Sequence, residues 1–530
     1  MNKIITYSIT GLIGAAILTG SCTKLDEKAY DRVLQSQFTP TANDIPTLIG
    51  PAYTTLRAME ASWYGNFDLQ EESADEIVTP ARPNGWYDGG VYQRMHLHTW
   101  NQTQGEPNQL WSLAYQGINN ANRVLSQIES GDIPITTGKE NLIAELKGIR
   151  VFYYYNLLDN HGNVPIVTDY KDASLPKQST RQQVYDFVVK ELTDIIPLLS
   201  DKVDQTTYGR VNRWTAKAIL AKVYLNAEVY TGTAQWAKCL QECNDIIAAA
   251  PGRYVLESTY KAPFKTDNHL SKEIIFAVPY DEIQATQMNI HMKTLDPVMQ
   301  LVYSMAAQPW GGNCAVPQFI DTYDPDDTRL KDTWIYGPQL NATTGAVAIN
   351  YVKQVDGIAL AGSNQGYRIG KYEIKIGARG GLSTDYPLAR YSDILMMKAE
   401  CLLRTGQQDA AATIVTQVRQ RAFASTNPAK ATVTGAQLLT GSVYKYGYWN
   451  SNGTITDLQG GADIQYGRFL DELGWEFAAE GRRRQDIIRF GVYTTKKWFN
   501  HTGSAAYKTI FPIPEAELTK NANLKQNTGY

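Results

Sequence analysis

The chain has no surplus of positive charge: fifty Lys and Arg face fifty-three Asp and Glu, for a formal charge of -3. It carries no basic stripe of the kind a phosphate backbone requires, which argues against nucleic acid as a partner. Cysteine is scarce, with five in 530 residues. Cys239 and Cys243 stand four apart in a helical stretch, which is neither a CxxC nor a metal spacing, so they read as free, buried thiols with Cys314 and Cys401. G-x-S-x-G, Walker, H-E-x-x-H and dinucleotide-glycine patterns are all missing. His96-Leu97-His98 offers two metal ligands without a third His or Cys at a supporting spacing. Asp324-Pro325-Asp326-Asp327-Thr328-Arg329 lacks the glycine and glutamate of an EF-hand loop and reads as a Pro turn with an Asp to Arg contact. Glu472, Glu476 and Glu480 recur at four-residue steps, but Glu480 and Arg484 suit an i,i+4 ion pair better than a glycosidase pair. No catalytic residue, metal or cofactor is expected.

Long apolar runs are missing too, apart from one. Ile4 to Leu18 follows the positive start Met1-Asn2-Lys3 and falls short of the roughly twenty residues of a spanning helix, so it reads as an export signal. Leu18-Thr19-Gly20-Ser21-Cys22 follows directly. Its small residues and cysteine read as a lipobox, with residues 1–21 removed and Cys22 carrying the lipid; the plainer reading is a cleavable signal beside a chance cysteine. Two or more acyl chains would hold the protein stably on a membrane.

What the chain does have is apolar content of 43%, 33 Tyr and 11 Trp. That is enough for two or three packed subregions, with flat rings that suit cores, interfaces and sugar faces alike. Helical periodicity comes in pairs. Trp111 to Ile128 and Glu140 to Asn160 form one hairpin, Trp214 to Tyr230 and Gln235 to Ala249 a second, and Arg390 to Arg404 and Gln408 to Arg421 a third. The second and third share Ala-rich helices around a polar turn, at about the size of a tetratricopeptide unit. The expected fold is mostly α, a TPR-like hairpin scaffold with long irregular loops and a few short strands. It divides into an N-terminal helical region, 22–250, and a C-terminal region, 251–530, with loop excursions and closing helices. The stretches 60–105, 255–385 and 424–465 lack periodicity but are rich in aromatic residues, as ordered recognition loops are. Asn452-Gly453 predicts a hairpin turn.

Arg390-Tyr391-Ser392-Asp393-Ile394-Leu395-Met396-Met397-Lys398-Ala399-Glu400 resembles a signature helix of the SusD/RagB family, with Lys398 where that family has an aromatic residue. Glu476 to Asp486 with Arg489-Phe490-Gly491 is similar to a second signature. Phe511-Pro512-Ile513-Pro514-Glu515 through Asn523-Leu524-Lys525-Gln526 to Tyr530 is similar to the family's ending, with Ala522 and Thr528 replacing prolines. The resemblance implies a lipoprotein on the outer-membrane surface that captures oligosaccharides and passes them to a SusC-like TonB-dependent transporter, without cutting them. Asp26-Glu27 then resembles a surface-export signal, or is simply an acidic tether.

A sugar site needs Trp or Tyr faces beside Asn, Asp or Arg. Asp68 with Asn84-Gly85-Trp86 is one such set, and Trp310-Gly311-Gly312-Asn313 is another, each a Trp among glycines with an amide nearby. Tyr448 and Trp449 on the predicted hairpin are a third candidate, and Arg368 has a fork for two hydroxyls or for a surface ion pair. The alternatives are that Trp86 and Trp310 cap the core, that the protein is a surface glycoside hydrolase, or that a TPR-like groove binds peptides.

Overall fold

The computed structural model describes residues 40–41, 44–83 and 86–530. The signal segment, Cys22, Asp26-Glu27, Asn84 and Gly85 lie outside the described residues. Its long helices are α1 (Ile45–Met59), α4 (Gly105–Glu129), α5 (Lys139–Asn160), α6 (Arg181–Ile195), α7 (Arg213–Leu225), α8 (Trp236–Ala249), α9 (Tyr391–Arg404), α10 (Gln408–Phe423) and α11 (Gly467–Phe477), with the shorter α2 (Asn66–Glu71) and α3 (Val91–His96) before α4. The three predicted hairpins are present as α4 with α5, α7 with α8 and α9 with α10, and α8 packs on α9 so that the last two hairpins stack. The expected Trp214 to Tyr230 helix breaks at Asn226 and resumes over Ala227–Thr231. Helices α1 and α6 carry no counterpart in the sequence reading.

Local chemistry fixes these elements. Asn212 caps α7 by accepting from the Trp214 and Thr215 backbone N–H groups, and Thr180 with Gln183 makes a capping box on α6. The turns between paired helices use left-handed glycines, Gly232 at φ 77° and Gly406 at φ 78°. Helices α4 and α5 cross closely because Gly117 has no side chain: a Cβ there would stand 2.2 Å from the Tyr153 ring. Tyr153 and Tyr154 are fully buried, and a continuous core runs from Ile49 to Leu524.

Strands occur as two-stranded antiparallel ribbons. One of them places the site. Ile77 pairs with Ala315 and Val78 with Cys314, so the loop after Val78, which carries Trp86, runs beside the loop before Cys314, which carries Trp310. Tyr448–Trp449 pairs with Ile455–Thr456 around Gly453 at φ 80°, the predicted hairpin.

Candidate functional site

Trp86 and Trp310 are each partly exposed, and a third indole joins them. The Trp63 ring centroid lies 5.6 Å from Trp86 and 5.0 Å from Trp310, tilted to both. Trp86 stacks on Tyr92 at 5.9 Å and 17°. Tyr64 meets Trp63 and Tyr92 edge-on, each at 5.8 Å. The result is an arc of three indoles backed by two phenols. Glycine makes room for it, since a Cβ on Gly312 would stand 2.8 Å from the Trp86 ring. Backbone bonds pin the 310 loop, with Trp310 N–H donating to Met292 O (2.7 Å) and Gly312 N–H to Lys293 O (2.6 Å). Gln109 Nε2 donates to Trp63 O at 2.8 Å.

The polar residues expected beside the indoles lie underneath them instead. Asp68 is 2% exposed. Its Oδ2 accepts Tyr64 N–H at 2.9 Å, and its Oδ1 meets Lys293 Nζ at 2.6 Å. Burial pushes its carboxyl up to about 6 although Lys293 works against this. Lys293 also pairs with Glu72 at 2.9 Å and sits 3.8 Å from the Tyr92 ring centre, so Asp68 belongs to a buried ionic base and offers nothing to a ligand. Asn313 is fully buried, donating to Glu72 Oε1 at 3.3 Å. Arg368 is fully buried as well. It donates to Asn313 O (3.0 Å), Gly312 O (3.3 Å) and Ser363 O (2.7 Å) and lies over the Tyr351 ring, so it is neither a hydroxyl fork nor a surface ion pair. These three corrections share one cause: a buried charge or amide must find partners, and each of these finds them inside the fold.

Trp449 is likewise a core residue, 4% exposed, with Nε1 donating to Val355 O at 2.8 Å. Tyr448 is partly exposed and lines an open hollow of about 600 Å³ with Leu97, Asp356, Ile358, Asn450 and Asn500. The structure brings Trp86 and Trp310 together and leaves Tyr448 on the separate hairpin. Trp63 escaped the sequence reading, although Trp63-Tyr64-Gly65 repeats the pattern of a Trp beside glycine.

The other chemistries resolve as well. His501 comes within 4.2 Å of His98 and 6.5 Å of His96, ring to ring, a neighbour that spacing along the chain cannot reveal. Burial pushes His96 and His98 down to about 3, and no group of three His, Cys, Asp or Glu among the described residues is arranged to hold a metal. Glu480 pairs with Arg390 (2.7 Å) and with Lys371, and Arg484 with Asp159 (3.0 Å). The expected Glu480 to Arg484 pair is absent because α11 ends at Phe477. Asp327 and Arg329 make the expected contact, at 2.6 Å.

Two family models match the chain: one described as the SusD family over residues 272–530, and one described as starch-binding, associating with outer membrane, over residues 25–225. The starch-binding protein SusD of Bacteroides thetaiotaomicron is 24% identical over 447 residues, covering 73% of this chain and 72% of that one. A SusD-like protein of Formosa agariphila is 22% identical, covering 96% and 97%. Among solved structures, a SusD superfamily protein of Parabacteroides distasonis superposes with a TM-score of 0.71 at 18% identity, over 93% of this chain and all of that one. The surface glycan-binding protein A of Bacteroides thetaiotaomicron, in complex with laminarihexaose, gives 0.68 at 19% identity, over 92% and 100%. These superpositions establish a shared fold.

Proposed function

The chain belongs to the SusD/RagB family, and we propose that it is a glycan-binding protein of the outer-membrane surface whose contact face is the arc Trp86, Trp63 and Trp310. The single observation that carries this reading is the gathering of three partly exposed indoles from three loops onto one rigid base. Sugar C–H faces lie flat on such rings. The relatives support it, since those whose ligands are named bind starch or laminari-oligosaccharide.

The protein binds and does not cut. Glu472 and Glu476 are buried and paired with Arg329, and Asp68 is paired with Lys293, which leaves them unsuited to acid–base work on a glycosidic bond. A peptide-binding scaffold would have the indoles inside, whereas here they reach solvent. Anchoring through acylated Cys22 and transfer to a SusC-like TonB-dependent transporter complete the proposal.

Affinity electrophoresis in gels containing polysaccharide tests it. Retention by at least one glycan is expected, with thin-layer chromatography showing no shortening of oligosaccharides after incubation. A shortened product overturns the non-enzymatic reading. Loss of acyl labelling in Cys22→Ala tests the anchor.

A further inference from the structure

The indole arc offers apolar faces, but a sugar ring also needs an acceptor for its hydroxyls, and the carboxylate expected for that, Asp68, is buried. Another carboxylate stands in the open. Asp88, two residues beyond Trp86, is exposed and adopts the left-handed conformation at φ 49°. Its Oδ2 accepts the Tyr64 hydroxyl at 2.8 Å, and Tyr64 is itself left-handed at φ 60°. Residues with a Cβ rarely occupy that region, and where they do the surroundings over-determine them. Here two such residues from separate loops are joined by one hydrogen bond at the edge of the arc.

The surroundings account for that. Gly89 and Gly90 continue the left-handed turn at φ 61° and 74°. Arg94 Nη1 donates to Gly89 O at 2.8 Å, with its Nε on Gln104 Oε1 at 2.9 Å. Gly105 seats the Tyr64 ring, since a Cβ there would stand 3.2 Å from it. The carboxylate is therefore fixed in relation to the indole faces. An ionised carboxylate has about four acceptor positions, and Tyr64 takes one. The cations nearby are engaged elsewhere: Lys293 with Asp68 and Glu72, Arg82 on the carbonyls of Gly312, Gly362 and Gln365, and Arg94 as above. Asp88 thus presents an exposed carboxylate beside the indoles, with Arg94 held on neutral oxygens rather than on that carboxylate.

We propose that Asp88, positioned by Tyr64, is the hydroxyl acceptor of the indole site and restricts it to neutral glycans with adjacent free hydroxyls, excluding uronates and sulfate esters. This rests on the reading of the arc as the glycan site. The test measures retention of the full-length protein by a panel of neutral polysaccharides, by alginate as the uronate probe and by dextran sulfate as the sulfate probe. Wild type is expected to be retained by a neutral member and by neither acidic one. Asp88→Gly suits the left-handed backbone and should melt like wild type, yet bind the neutral glycan about tenfold to a hundredfold more weakly, the loss of a hydrogen bond to a charged group. Asp88→Asn keeps an acceptor oxygen without the charge and should lose less. Retention by alginate or dextran sulfate, or by no neutral member, overturns the proposal. An effect of Trp86→Ala without one of Asp88→Gly overturns the role of Asp88 alone. No effect of Trp86→Ala on a retained glycan overturns the site itself.

Discussion

Arg390 Nη1 lies 2.8 Å from Glu476 Oε1, and neither side chain has more than 1% of its surface exposed. The pair is the centre of a buried network. Arg390 also meets Glu273 and Glu480, Arg421 meets Glu273 and Glu476, and Arg329 joins Glu472, Glu476 and Asp327. Charges taken out of water are tolerable only when each finds partners, so removing one member strands the rest.

Replacing Glu476 by Gln should therefore lower stability by about 3–5 kcal/mol at neutral pH. Burial raises the Glu476 carboxyl, but Arg421, Arg390 and Arg329 overcome burial and hold it at about 2. The unfolded value is about 4.3. The folded pKa is the lower one, so the contribution is complete above about pH 5 and fades as the pH falls toward 2. Denaturant unfolding of wild type and variant between pH 3 and 8 should show the widest gap above pH 5. A gap that stays constant down to pH 3 would refute this account.

The same network explains which parts of the molecule were readable. The segments beginning at Arg390 and Glu476 resemble family signatures, and in the fold they are each other's ion-pair partners. The helical hairpins were readable because a 3.6-residue apolar period is a local property. Asp68, Asn313 and Arg368 misled because their burial depends on distant residues: Lys293 is 225 positions from Asp68. Trp63 lies in a stretch without periodicity, and only the pairing of Val78 with Cys314 brings its neighbours together.

Trp63 touches both flanking indoles, so Trp63→Ala should weaken glycan binding by about 1–3 kcal/mol, as Trp86→Ala and Trp310→Ala should, in the range of anchoring aromatic contacts. Isothermal titration against the best-retained glycan measures this. Trp449→Ala should instead lower the melting temperature. Full affinity in Trp63→Ala would mean that the arc is not the contact face.

Arg368 separates a supporting role from a binding one. Its Nη1 donates to two consecutive carbonyls, Gly312 and Asn313, while its Nη2 donates to Ser363 O, and Lys lacks that two-nitrogen geometry. Arg368→Lys should cost about 1–3 kcal/mol of stability through carbonyls left without donors, with any loss of affinity accompanied by a lower melting temperature. A variant that melts normally but no longer binds glycan would return Arg368 to the ligand side.

Gly312 gives the sharpest test of the arc's shape. Its φ lies outside the left-handed region, so alanine suits the backbone, but the added Cβ would stand 2.8 Å from Trp86 Cε2, 2.9 Å from its Cζ2 and 3.0 Å from Lys293 O. Such contacts are too short to persist, and of these atoms those of the partly exposed indole shift, since Lys293 O is backbone. Gly312→Ala should therefore fold, shift tryptophan fluorescence as Trp86 leaves its stack on Tyr92, and lose affinity much as Trp86→Ala does. The double variant should then bind no more weakly than Trp86→Ala alone, because both changes remove one interaction. Additive losses would show that Gly312 supports binding by another route, and that Trp86 does not depend on the missing side chain for its place.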